Sequence, residues 1–109
     1  MYISMFLKEE KQKFIGIGSI IVSREYISIG KGTHVAEYTV IRDQDHLISD
    51  LNKFHTKPII IKENVWICNK VSILKGTTIN SNSILGAHAV VNKDIPANSL
   101  AVGIPVEIK

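Results

Sequence analysis

Cysteine is nearly absent from the chain: Cys68 stands alone, so no internal disulfide can form and a cysteine-built metal cluster is excluded. Aromatic residues are scarce as well. One tryptophan, three tyrosines and three phenylalanines are too few for a platform that stacks nucleic-acid bases, and the net charge of +3 is not gathered into a basic stripe. No nucleic-acid partner is expected. Uninterrupted apolar runs stay well short of the roughly 20 residues that a bilayer-spanning helix needs. The opening "MYISMFLKEEKQK" is too short and too acidic to read as a secretory leader. The expectation is one domain spanning residues 1–109 in a cytoplasmic, reducing setting.

What the chain does have is a beat of six. Aliphatic residues fall at Ile61, Ile67, Ile73, Ile79, Leu85 and Val91, and a small or β-branched residue stands two before each of the last five: Val65, Val71, Thr77, Ser83 and Ala89. The same beat runs earlier through Ile29, Val35 and Ile41. Residues i and i+2 point to the same side of an extended chain, so each pair is a short strand with an inward face. Recurrence at six then demands a turn after each strand. Gly30, Gly32, Asn64, Asn69, Gly76, Asn80, Asn82, Gly86 and Asn92 stand at the turn positions, where left-handed backbone or side-chain-to-backbone bonding is needed. Three such strands make one coil of eighteen residues. Ile61 then stacks on Ile79, Ile67 on Leu85 and Ile73 on Val91, at the usual spacing of roughly 4.8 Å. The fold class is an all-β parallel solenoid.

Between the inward pairs the side chains point outward, Trp66 beside Ile84 and Ser72 beside Val90 among them, with Ile60 also outward. Large apolar groups on the outside of a coil predict self-association.

The hexads "IKENVW", "ICNKVS", "ILKGTT", "INSNSI", "LGAHAV" and "VNKDIP", followed by "ANSLAVGIPVEIK", resemble the hexapeptide-repeat acyltransferases, and in particular their sugar O-acetyltransferase branch. The resemblance runs over residues 27–109. It implies a left-handed parallel β-helix, although crossovers between parallel strands are otherwise right-handed, and it implies a homotrimer with closed three-fold symmetry.

One stretch breaks the beat: "IRDQDHLISDLNKFHTKPIII", residues 41–61. The next inward pair after Ile41 would be Asp45 and Leu47, and an unpaired carboxylate cannot sit in a dry rung, so the coil must stop. Ile41 and Ile61 are twenty apart, which suggests one turn of coil with a protruding loop near residues 47–58. On that count His46 lies one coil from Trp66 on a shared outward face. The resemblance implies that His46 is the catalytic histidine. An imidazole titrates near working pH and can take the proton of an attacking hydroxyl. Asp43 or Asp45 would orient it, with spacing not choosing between them. His55 is the alternative base, and His34 and His88 read as surface residues.

The resemblance further implies acetyl-CoA as donor, its pantetheine arm meeting Trp66, Asn69 and Ala87 and its phosphates Asn92 and Lys93. A sugar or glycan hydroxyl would be the acceptor. Family members carry glycines where this chain has Cys68 and His88, both beside the donor groove. Residues 1–14 show no clear coil and read as a cap. Two rival functions remain on the same scaffold. One is a non-catalytic assembly protein. The other is a zinc-dependent, carbonic anhydrase-like enzyme, against which the wide spacing of His34, His46, His55 and His88 speaks; no metal is expected.

Overall fold

The structure, a computed structural model, describes residues 2–3 and 7–9 as backbone strands and residues 14–109 throughout. Three parallel sheets wind around one core. The first face stacks Tyr2–Ile3, Ile20–Val22, Val40–Arg42, Ser72–Ile73 and Val90–Val91. The second stacks Leu7–Glu9, Ile27–Ile29, Ile59–Ile61 and Thr78–Ile79. The third stacks Phe14–Ile15, His34–Val35, Trp66–Ile67, Ile84–Leu85 and Leu100–Val102, closed by Glu107–Ile108 running antiparallel. The chain visits first, second and third face in turn, which is a β-solenoid.

The expected rungs form as the six-residue beat requires. Ile61 pairs with Ile79, Ile67 with Leu85 and Ile73 with Val91, each eighteen residues on. All six side chains are at most 1% exposed. Inward aliphatic groups therefore supply the core, at about 1.5–3 kcal/mol for each fully buried side chain.

Corners are built from polar residues that look after the backbone. At the corner between second and third faces, Gly32, Asn64 and Asn82 stack in successive coils with φ of 77°, 55° and 63°, and Asn98 continues the column at 57°. Asparagine tolerates this left-handed region better than other side chains. Gly30 answers a different need: a Cβ there would meet the Lys62 carbonyl carbon at 2.5 Å. Buried hydroxyls splice adjacent coils, as where Thr33 Oγ1 donates to the Lys62 carbonyl at 2.8 Å and accepts from the Val65 N–H at 3.2 Å.

The interruption differs from its expected shape. Ile41 stacks on Ile21 and on Ile73, twenty residues before and thirty-two after, while Ile61 stacks on Ile29. The segment from Ile41 to Ile61 is thus a single corner, from first face to second, with fourteen residues added to the eighteen-residue coil. They form a two-stranded antiparallel hairpin, Gln44–Leu47 with Asp50–Thr56, rather than a loop confined to 47–58. The ladder is undisturbed on either side, because Ile59 pairs directly with Ile27.

Tyr2–Ile3 pairs in parallel with Ile20 and Ile21, and Leu7–Glu9 with Ile27–Ile29, so strands of the coil reach into the stretch read as a cap. The rest of that expectation lies outside the described residues.

Ile73 sits in a rung with neighbours above and below. Ile73→Ala should therefore cost about 2–5 kcal/mol in urea unfolding, whereas an unchanged midpoint would contradict a dry, stacked core.

Candidate active site

Asp43 is where the coil ends and the hairpin begins. Two residues after Ile41, it turns inward and is fully buried, and a carboxylate there needs donors. It has them. The backbone N–H groups of Arg24, Glu25 and Tyr26 donate to it at 2.8, 2.7 and 2.8 Å, and Ser23 Oγ lies 3.4 Å away. Such charge-assisted bonds are the strong kind. They shape the same corner one coil earlier, residues 23–26, into a wider turn beneath the hairpin.

The hairpin is fastened on both sides. Below, Thr56 Oγ1 donates to Glu25 Oε1 at 2.7 Å, and the Arg24 guanidinium lies 3.8 Å from the Phe54 ring centroid. Above, Lys75 Nζ meets Asp45 Oδ2 at 3.1 Å, with both side chains partly exposed. An ion pair so open to solvent contributes at most about 1 kcal/mol.

His46 faces Phe54 across the hairpin, the two rings 4.5 Å apart and tilted by 36°. The ladder then slips: Leu47 pairs with Asp50, leaving Leu51, Asn52 and Lys53 as a bulge. Asp50 Oδ1 accepts the Asn52 N–H at 3.0 Å, a local turn that shapes the bulge. The Leu51 carbonyl, freed from the ladder, lies 2.7 Å from His46 Nδ1. A carbonyl only accepts, so Nδ1 carries a proton, and in the neutral ring the lone pair is then on Nε2. The imidazole is held in the tautomer a base needs.

The expected carboxylate partner is thus replaced by a backbone oxygen. Asp43 is committed to the 23–26 turn and Asp45 to Lys75. His55 pairs with Asp45 on the hairpin, one residue out of phase with His46, and so points from its opposite face. His34 stacks on Phe14 at 4.5 Å.

Trp66 is not beside His46. It pairs with His34 and Ile84 on the third face, because the twenty residues counted as a coil are only a corner. Asn69 and Ala87 stand at the corner between third and first faces, where the His88 N–H donates to the Asn69 carbonyl at 3.0 Å. Asn92 and Lys93 follow Val90–Val91 and share the corner from which the hairpin leaves. The structure therefore splits the candidate residues into two groups flanking the first face: His46, Asn92 and Lys93 on one side, Trp66, Asn69 and Ala87 on the other. Phe14, Trp66, Ile84 and Leu100 form an exposed row up the third face, each between 37% and 54% exposed. Among the described residues no three His, Cys, Asp or Glu side chains converge on a metal position.

The Leu51 carbonyl, Phe54 and Arg24 were not foreseen. "SDLN" carries a turn signal in Asp50 that points to the first; nothing in sequence marks the other two.

Known proteins share this fold. The family described as "Bacterial transferase hexapeptide (six repeats)" matches residues 58–93. "Probable acetyltransferase Rv3034c" of Mycobacterium tuberculosis is 36% identical over 100 residues, covering 86% of this chain and 33% of that protein. Galactoside O-acetyltransferase of Escherichia coli is 36% identical over 92 residues, covering 81% and 45%. A hexapeptide-repeat acetyltransferase of Vibrio cholerae, solved with acetyl-CoA, superposes with a TM-score of 0.91 at 28% identity over 95% of this chain and 59% of that one. The chain carries the hexapeptide repeat of that transferase family and shares the fold of a solved hexapeptide-repeat acetyltransferase. Its solenoid is accordingly left-handed. It spans between a third and about half of the two curated relatives named.

Within the family frame, Cys68 is the one thiol. It sits half-buried at the third-to-first corner, and burial pushes its ionisation above the ordinary range. A protonated thiol is a poor nucleophile. Alkylation by iodoacetamide should therefore begin only at a higher pH than for free cysteine. Rapid labelling at neutral pH would contradict this placement.

Proposed function

We propose that the chain is an O-acetyltransferase that moves an acetyl group from acetyl-CoA to a hydroxyl of a sugar or glycan, with His46 as general base. The observation that carries this reading is the 2.7 Å contact between His46 Nδ1 and the Leu51 carbonyl, which leaves Nε2 free to accept a proton on an exposed hairpin. In the reaction Nε2 takes the acceptor's hydroxyl proton as the oxygen attacks the thioester carbonyl. A C–O bond forms, the C–S bond breaks, and the departing thiolate recovers the proton from the imidazolium.

Trp66, Asn69 and Ala87 would receive the pantetheine arm and Asn92 and Lys93 the phosphates, Lys93 as a point charge. One chain holds these two groups on opposite sides of its first face. That separation, together with the exposed apolar side chains of Phe14, Trp66, Ile84 and Leu100, supports a homotrimer in which the hairpin of one copy would meet the third face of the next and the sites would lie at the seams. The name of the galactoside O-acetyltransferase relative supports a sugar acceptor. Among the described residues no helix is long and apolar enough to cross a membrane. A cytoplasmic setting fits a thioester donor and an unpaired thiol.

His46→Gln should lower kcat with acetyl-CoA and methyl galactoside by about 10²–10⁴-fold, while calorimetry still records acetyl-CoA binding. Lys93→Ala should weaken that binding. A fully active His46→Gln enzyme would overturn the assignment, and absence of acetyl-CoA binding by the unaltered protein would favour a non-catalytic assembly role.

A further inference from the structure

The His46 side chain is exposed, so a single bond to the Leu51 carbonyl would leave its ring plane free to swing about that contact. A second restraint is visible. Phe54 lies against the imidazole at 4.5 Å and is itself touched by the Arg24 guanidinium at 3.8 Å. Arg24 reaches the hairpin from a different coil. Its position is set by the buried Asp43, whose Oδ1 accepts the Arg24 N–H at 2.8 Å, and by the neighbouring bond from Thr56 to Glu25 at 2.7 Å. A guanidinium over a phenyl face is attracted by the ring quadrupole. The phenyl ring thus contacts the body of the solenoid as well as the hairpin.

We infer that Arg24 and Phe54 are positioning residues: they tie the His46 ring plane to the body of the coil, so that the Nε2 lone pair keeps one direction while the Leu51 carbonyl selects the tautomer. This rests on the reading of His46 as the base. Neither residue touches the reacting atoms, and both act through the imidazole. The arrangement gives the wide 23–26 turn a purpose beyond chain reversal. Asp43 then serves the site indirectly, by holding the turn that holds Arg24.

The test is long-range proton–nitrogen NMR of the histidine rings in the full-length protein, with His46 assigned through His46→Gln, alongside steady-state kinetics with acetyl-CoA and methyl galactoside. The unaltered protein should show one His46 tautomer, Nδ1 protonated. Phe54→Leu and Arg24→Gln should each give mixed tautomers or averaged ring signals. Each should lower kcat by about ten- to a hundred-fold with KM for acetyl-CoA unchanged. Arg24→Lys, which keeps the cation, and Phe54→Tyr, which keeps the ring, should restore both readouts and serve as the folded comparison. Phe54→Leu and Arg24→Gln proteins with the ring signals and kcat of the unaltered enzyme would overturn the inference. If His46→Gln keeps full kcat, the base assignment fails, yet the NMR comparison still decides whether the ring is braced.

Discussion

Stacking of inward aliphatic rungs is the constraint from which everything else in this molecule follows. A pair of side chains two residues apart must enter the core on every face of every coil, and each must land on the pair below. Ile29, Ile61 and Ile79 make such a column, as do Ile41, Ile73 and Val91. Residues can be added only where they disturb no rung, which means at corners. The hairpin leaves between Asp43 and Lys57 and returns without shifting the pairing of Ile59 with Ile27. His46 is thus carried outside the solenoid, on a segment anchored at both ends.

Rungs were legible in the sequence because alternation of side chains is local and periodic, so the partners of Ile61, Ile67 and Ile73 could be named from spacing alone. The place of Trp66 was not. Counting from Ile41 to Ile61 gives twenty, close to a coil, and a corner that has swallowed a hairpin mimics a turn of solenoid. Asp43 shows the same limit. Its inward direction follows from Ile41 by the two-residue rule, but the N–H groups of Arg24, Glu25 and Tyr26 that make its burial tolerable come from another coil. Likewise Tyr38, Lys70 and His88 occupy left-handed positions at φ of 59°, 57° and 64°. Side-chain type gives no warning of that; the stacked corner imposes it.

Around His46 the division is similar. The histidine stands out in sequence because it follows the break in the beat. The contact that fits it to the proposed role of base does not. A three-residue bulge, shaped by Asp50, turns the Leu51 carbonyl to Nδ1, and the group expected in that role, a carboxylate, is employed elsewhere. Backbone carbonyls are invisible to residue-type reasoning, since every position carries one.

In the proposed trimer, division of the candidate residues between two corners ties function to assembly, and mixing of inactive variants tests that link most directly. His46→Gln and Trp66→Ala proteins would each be purified, unfolded together and refolded into mixed oligomers. If one copy supplies the histidine and its neighbour the tryptophan, some seams in the mixture contain both native residues and acetyl transfer reappears. Mixed oligomers as inactive as either parent, although composed of both, would contradict a site shared between copies.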